Sequence, residues 1–313
     1  FIAAGTSGGY RGKRWIARLD HNREIIWQKR VDEEYSGRIN DVQVTSDSCF
    51  IACGWTVPPP PHPYPYIWVG KFDSLGTLLW QKRMGEILDY DNAAAVLETV
   101  SGDFLIAVNG MNFIETHPDG GYLTGGDING GLIKLDANGD LIWQKKGAQS
   151  LVGYNDSWLL YMNESGNALW QYRYPQPDIY EYISDIDMSS PDHIYTIGST
   201  VRHDSLGKPY ENMRLMKLTT GGEIIWQKEF TARNDQIGAG LIVSPHGSIV
   251  SAGSYQFDVY ETDGWLCMIS PEGQLDGCAS ANLINSNATR ESTSQTFENS
   301  SLPVNTPPDN FTD

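Results

Sequence analysis

The chain has 313 residues, 40% of them hydrophobic, with a net charge of −17 and a pI near 4.6. Nucleic acid and anionic lipid surfaces are excluded as partners, because both are bound through surplus Lys and Arg. No run of 18 apolar residues is present, so the sequence offers no membrane-spanning helix and no direct membrane insertion is expected.

Phe1-Ile2-Ala3-Ala4-Gly5 matches Phe50-Ile51-Ala52-Cys53-Gly54 and Ile249-Val250-Ser251-Ala252-Gly253, so the chain opens inside a repeat and upstream residues are expected. Strands follow near 13–19 and 24–31, the second carrying Trp27-Gln28-Lys29. This strand–turn–strand unit recurs at 67–82, 132–145, 157–171 and 213–228. A worn copy lies at 264–278, where Gly277-Cys278 stands in place of Trp-Gln. The Asp136-Ala137-Asn138-Gly139 turn supplies the positive-φ position a tight hairpin needs. Six copies of one unit signal a repeat fold.

With the strands of a unit labelled A to D, the second copy reads 38–47, 49–56, 66–73 and 77–84, and the third 92–100, 103–110, 131–136 and 140–146. The fifth reads 183–189, 193–200, 213–218 and 223–230, and the sixth 239–244, 248–254, 265–270 and 274–278. In the fourth copy Trp158 follows Lys145 by only 13 positions, which leaves no room for an A–B hairpin. Either that unit is degenerate or residues are missing near 147–154, and missing residues is the preferred reading.

Short strands at regular spacing predict an all-β fold, a β-propeller of about six four-stranded blades, or seven if residues are missing. An open β-solenoid is the alternative, and the units are long for it. Consecutive apolar residues such as Ile25-Ile26-Trp27 are expected to be buried on both faces. Trp27, Trp80, Trp143, Trp170 and Trp226 are expected to fill the core between blades, with the Lys that follows guarding an outer edge. The propeller is assigned to 1–280, and the Ser/Thr/Asn/Pro-rich 281–313 is read as a linker or tail.

Of the four Cys, Cys49 and Cys53 lie too far apart along one strand to bridge. A hairpin centred on 271–274 places Cys267 opposite Cys278, within disulfide reach. A disulfide there implies an oxidising compartment, and two free thiols are the other reading.

The A–B and C–D turns are short and uniform, whereas the B–C and D–A loops are long and varied. The B–C set includes 57–65 with its four-proline run, 111–129, 201–212 and 255–263, and the D–A set 32–37, 85–91 and 175–181. Binding sits on variable loops over a rigid scaffold. The candidate binding face therefore carries Tyr35, Tyr64, Tyr66, Tyr90, Phe113 and Tyr122, and with them Tyr180, Tyr210, Tyr255, Phe257 and Tyr260. Tyr suits protein or glycan contacts, and packing of the loops onto the blades is the competing use. Glu33, Glu34, Asp89, Asp91, Asp178, Glu181 and Asp235 recur before strand A, and oxygen ligands could hold calcium. No complete calcium-loop pattern is present, so no metal or cofactor is assigned. His62, His117 and His203 have no ligand or triad spacing, and Gly120-Gly121 and Gly125-Gly126 do not form a phosphate loop.

Lys134-Leu135-Asp136, then Gly139, then Leu141-Ile142-Trp143-Gln144-Lys145 resembles the repeat of secreted β-propeller proteins of Bacteroidota-type Gram-negative bacteria. The resemblance covers about 1–280 and belongs to the repeat rather than to an activity. It implies export to the cell surface or outside the cell, rather than the periplasm, with the type 9 secretion route as the carrier. The unit is similar, more distantly, to the pyrroloquinoline-quinone-type repeat of the outer-membrane assembly lipoprotein B and of quinoprotein dehydrogenases. The adjacent cysteine pair of those dehydrogenases is absent, as are the Ser-x-Asp-x-Gly-x-Thr-Trp boxes of sialidases.

With no catalytic motif, the expected function is a non-catalytic, exported or cell-surface interaction or scaffold module. Its partner is a protein or glycan on the long-loop face, within an outer-membrane or type 9 secretion-associated assembly. The alternatives are a polysaccharide-binding or polysaccharide-degrading enzyme, which needs two acids about 5–10 Å apart, and a structural spacer without a ligand.

Overall fold

The computed structural model describes residues 1–7, 12–31, 36–57, 64–85, 92–126, 130–147, 157–175, 180–188, 192–203, 206–231, 236–258, 261–274, 282–285, 291–292, 297–299 and 304–305. The fold is all-β. The strands in order are β1 (Ile2–Ser7), β2 (Lys13–Leu19), β3 (Ile25–Val31), β4 (Ser36–Val44), β5 (Phe50–Val57), β6 (Tyr66–Phe72) and β7 (Leu78–Met84). Next come β8 (Ala93–Glu98), β9 (Phe104–Val108), β10 (Met111–Thr116), β11 (Tyr122–Gly126), β12 (Gly131–Leu135), β13 (Leu141–Gly147), β14 (Trp158–Met162) and β15 (Ala168–Arg173). The chain continues with β16 (Tyr180–Asp187), β17 (His193–His203), β18 (Pro209–Thr219), β19 (Ile224–Thr231), β20 (Gln236–Val243), β21 (Ile249–Asp258) and β22 (Glu261–Ile269). Four short strands close it, β23 (Asn282–Asn285), β24 (Glu291–Ser292), β25 (Phe297–Asn299) and β26 (Val304–Asn305). No helix among the described residues is long and apolar enough to cross a membrane.

These strands form six antiparallel sheets in two compact units. One unit comprises Phe1–Ile114, Asn129–Ala148 and Thr296–Asp313, and the other Glu115–Ile128 and Gln149–Gln295. The first holds sheets 1 (β1-β2-β3), 2 (β4-β5-β6-β7-β26) and 3 (β8-β9-β12-β13-β25). Sheets 4 (β10-β11-β14-β15-β24), 5 (β16-β17-β18-β19-β23) and 6 (β20-β21-β22) follow, the division of the chain falling inside β10.

Two stretches differ from the sequence reading. The 111–129 segment is not a loop: it holds β10 and β11, and β11 pairs with β14 to complete the fourth sheet. The A–B hairpin for which 145–158 has no room is thus supplied from between β9 and β12, and no missing residues are needed to explain the short spacing. The 281–313 segment, expected as a linker or tail, contributes β23 to β26, each added outside the D strand of a sheet.

The repeat motif reads directly as bonds. The first residue of each C–D turn caps it, as when Asp136 Oδ1 accepts N–H bonds from Asn138 and Asp140, both at 2.8 Å. Asp73 and Asn163 do the same in their sheets. The turn Gly takes φ of +77° at Gly76 and +79° at Gly139, the left-handed region that disfavours any side chain. The C-strand Lys reaches back to the A–B turn, Lys71 to Asp47 at 2.8 Å and Lys134 to Asp103 at 3.1 Å. That bond, made first of all to Lys71, holds the Asp47 carboxyl well below the usual carboxylate range.

The Trp ties one sheet to the next. Trp27 Nε1 donates to Ser74 O at 3.2 Å, Trp80 Nε1 to Ala137 O at 3.1 Å and Trp226 Nε1 to Pro271 O at 3.2 Å. Each acceptor is the second residue of the next sheet's C–D turn. A Cβ on Gly76 or Gly139 would stand 2.9 Å from the Trp27 or Trp80 ring, so Gly and Trp act as one device. Replacing Trp80 with Phe keeps the ring and removes the N–H; a loss of about 1 kcal/mol is expected in urea unfolding, and an unchanged midpoint would show that the bond contributes nothing.

Between sheets lie apolar cores. Ile16 and Val31 pack with Phe50, Trp68 and Phe72 between sheets 1 and 2. Ile51, Cys53 and Val69 pack with Val96, Phe104 and Ile106 between sheets 2 and 3, so sheet 2 is buried on both faces. Tyr195, Ile197 and Leu215 pack with Leu241 and Val243 between sheets 5 and 6. The D strands depart from expectation. Ile26, Leu79, Ile142, Leu169 and Ile225 fall in the register shift before each Trp and are about half exposed. Consecutive apolar residues there mark a β-bulge, which sets two residues against one, rather than burial on both faces.

Candidate functional site

Lined up on the turn residue, the C strands carry Trp15, Trp68, Trp158 and Trp265 at one position, with Gly131 and Arg214 as exceptions. The D-strand residue paired with that position is Arg30, Arg83, Lys146, Arg173 and, in sheet 5, Glu229. Sheet 5 therefore replaces a Trp–Arg pair with Arg214–Glu229. On strand B the partner is Gly5, Gly54, Gly126, Gly198 or Gly253, and Val108 where the Trp is Gly131.

Glu181 (β16), Thr200 and Arg202 (β17), Asn212 and Arg214 (β18) and Glu229 (β19) share one face of sheet 5, at the end that meets the long connections. Arg214 is 2% exposed and donates to Glu181 and, at 3.2 Å, to Gln227 Oε1. Arg202 forks onto Glu229, with Nε to Oε2 at 3.0 Å and Nη2 to Oε1 at 2.8 Å. Asn212 Nδ2 reaches the same carboxylate at 3.5 Å. Arg202 is the outlet to solvent, its side chain 28% exposed against 0% for Glu229. Burial pushes the Arg214 guanidinium below its ordinary value, and Glu181 pulls the other way. Beside the cluster, burial first and then the bond to Glu211 push the Tyr182 hydroxyl up to about 12.

Arg214 holds Glu181, and Arg202 holds both oxygens of Glu229, so these two acids are occupied by arginines within the cluster. The remaining capacity is hydrogen bonding at Thr200 Oγ1, Asn212 Oδ1 and Arg214 Nε, which are buried with no hydrogen-bond partner among the described residues.

The predicted binding residues scatter. Tyr180 is 49% exposed, and Tyr64, Tyr66 and Tyr210 are half-buried. Phe113 and Tyr122 are not loop residues: they sit in β10 and β11 and are 4% and 1% exposed, because the segment is sheet 4. Tyr255 and Phe257 are backbone positions of β21, and Tyr35, Tyr90 and Tyr260 lie outside the described residues. Trp27, Trp80 and Trp226 are partly buried against the cores. Trp143 carries Lys145 Nζ 5.6 Å from its ring centroid, and Trp170 stacks on Tyr172 with centroids 5.1 Å apart. Cys267 Sγ lies 3.0 Å from Ser251 Oγ, and Cys278 is outside the described residues.

Among the seven acids weighed for calcium, Glu181 is in the cluster and the others are outside the described residues, among which no metal-binding group occurs. His117 is structural: its Nδ1 accepts the Asp119 N–H, so Nε2 carries the proton and donates to Thr220 O at 3.2 Å. Its ring stacks on Tyr161 with centroids 4.0 Å apart. The buried charge cluster escaped the sequence reading, although the Trp-to-Arg and Arg-to-Glu changes are visible once the copies are aligned.

The sequence matches no protein-family profile and no curated protein. Among solved structures it is similar to the tail fiber of Staphylococcus aureus phage P68, at 10% identity and a TM-score of 0.28, over 75% of this chain. The chain spans about half of that one, 50%. At this TM-score the likeness carries no argument.

Proposed function

We propose that the six sheets are the blades of a six-bladed β-propeller, and that it is a non-catalytic scaffold binding a protein partner through its long connections. The observation that carries this reading is how the repeat motif is used. Lys71 holds the A–B turn, Asp73 caps the C–D turn, Trp80 ties to the next sheet, Gln81 Oε1 accepts the Trp68 indole N–H at 2.9 Å, and Lys82 reaches Asp140 at 3.1 Å. Those side chains serve architecture, and the buried acids of sheet 5 are committed to arginines. Recognition then falls to the unlike connections at the other end of the sheets, where Tyr180 and the stretch before β6 lie. Variable connections on a rigid frame suit binding. The repeat's resemblance to exported propellers supports a cell-surface or extracellular location and a place in an outer-membrane or type 9 secretion-associated assembly, with no cofactor.

The test is capture of partners from native membranes by the whole chain and by two variants. One replaces 58–63 with Gly and Ser, and the other is Tyr180→Ser. A partner held by the parent chain and lost from the variants, with unfolding midpoints unchanged, supports the proposal. A partner held equally by all three sinks it.

A further inference from the structure

We propose that the polar cluster of sheet 5 is a binding site for one ordered water molecule, hydrogen-bonded at once to Thr200 Oγ1, Asn212 Oδ1 and Arg214 Nε. The three side chains belong to residues 0%, 1% and 2% exposed, and among the described residues none of those atoms has a hydrogen-bond partner. A buried polar group without a partner costs free energy, and an internal water with about three bonds is the usual remedy.

The register brings the three together. Glu181, Thr200 and Asn212 are directly paired across β16, β17 and β18, so they form one row on one face. Arg214 lies two residues beyond Asn212 on the same face, opposite Gly198 and Glu229. It donates through Nη1 to Glu181, so its guanidinium runs back across β17 towards the row of Thr200. Gly198 has no side chain to block that path. Nη2 is spent on Gln227 Oε1 at 3.2 Å, which leaves Nε as the spare donor. Asn212 Nδ2 is 3.5 Å from the Glu229 carboxylate, and that contact fixes Oδ1 as the spare acceptor.

Sheet 2 shows what the same row does without the cluster. Thr56 stands two residues after Gly54, as Thr200 stands two after Gly198, and its Oγ1 donates to Ser36 O at 3.3 Å. Thr200 is more deeply placed in polar company and makes no such bond among the described residues. Tyr66 and Trp68 of sheet 2 are replaced by Asn212 and Arg214, so two rings give way to slimmer side chains, and Glu181 in place of Gly37 takes up part of the volume.

The chemistry selects the ligand. One atom donates, one accepts, and the Thr hydroxyl does either. The Arg214 guanidinium opposes a cation, and Glu181 and Glu229 oppose an anion. A neutral molecule that both gives and takes bonds is required, and the burial of all three atoms limits it to the smallest one. Water accepts from Arg214 Nε–H, donates one hydrogen to Asn212 Oδ1 and donates the other to Thr200 Oγ1.

The experiment is the nuclear Overhauser contact between water and Arg214 Nε–H in the full chain, with the lifetime of internal water from oxygen-17 relaxation dispersion, for the parent, Thr200→Ser and Thr200→Val. A contact to a held water is expected in the parent and in Thr200→Ser. In Thr200→Val, which keeps the shape and removes the hydroxyl, a lifetime about tenfold shorter is expected, because one of three bonds is lost. A parent protein with no such contact would overturn the proposal. An unchanged lifetime in Thr200→Val, or one shortened equally in Thr200→Ser, would overturn the three-way bridge.

Discussion

Substituting Arg214→Trp, which restores the residue found at Trp15, Trp68, Trp158 and Trp265, is expected to destabilise the protein by about 3–5 kcal/mol rather than improve its packing. The loss comes from the carboxylate left behind. Glu181 is 3% exposed and loses its Arg214 partner, while Glu229, 0% exposed, keeps the fork of Arg202. Taking out one partner of a buried ion pair leaves an uncompensated charge, whereas exchanging the whole set for a matched one is tolerated. The double change Arg214→Trp and Glu181→Gly transplants the residues of sheet 2 at Trp68 and Gly37 and leaves the fork of Arg202 on Glu229 in place. It is expected to recover at least half of the loss in urea unfolding. A single variant as stable as the parent, or a double variant worse than the single, would mean that Arg214 and Glu181 do not act as a pair.

Trp68→Ala is expected to cost about 3–5 kcal/mol, the range for emptying a large buried aromatic site. Trp68 is fully buried, and the Arg14 guanidinium carbon lies 4.3 Å from the centre of its ring. Arg14 is itself 0% exposed, so the change removes the face that covers a buried cation as well as the ring's own contacts. Trp80→Ala empties a partly buried site and is expected to cost less than half as much. Similar unfolding midpoints for the two variants would contradict this ranking.

The repeat was legible wherever the chain runs in register with its own period. Turn glycines, Trp-Gln-Lys and alternating strands placed the hairpins of sheets 1, 2, 3 and 5 to within a few residues. The fourth sheet was hidden because its first two strands precede, in the chain, the last two of the third. Tyr122-Leu123-Thr124-Gly125-Gly126 does carry the strand-B pattern of Phe50-Ile51-Ala52-Cys53-Gly54, and Gly126 faces Trp158 as Gly54 faces Trp68. The signal was present but out of order. The strands β23 to β26 were hidden for another reason: pieces of two to four residues have no alternation to detect, and the Asn, Ser and Thr around them read as linker. Binding residues were the least legible, since Tyr serves equally well in strands, as Tyr122 does, and on exposed connections, as Tyr180 does.

The hairpin β10–β11 also constrains how such a protein can change its number of repeats. Tandem-repeat chains commonly gain or lose whole units, because each unit touches only its neighbours. Here a deletion of the third repeat, from β8 through β13, would carry away two of the five strands of the fourth sheet. A duplication of the same stretch would create a second hairpin with no β14 to receive it, exposing Tyr122 and Leu123, now 1% and 0% exposed, to water. During synthesis the same hairpin leaves the ribosome before its partner strands exist, so β12 and β13 must be made while it waits. A change of repeat number at this point therefore keeps the strands of the fourth sheet together only if the third and fourth repeats are taken or added as one stretch.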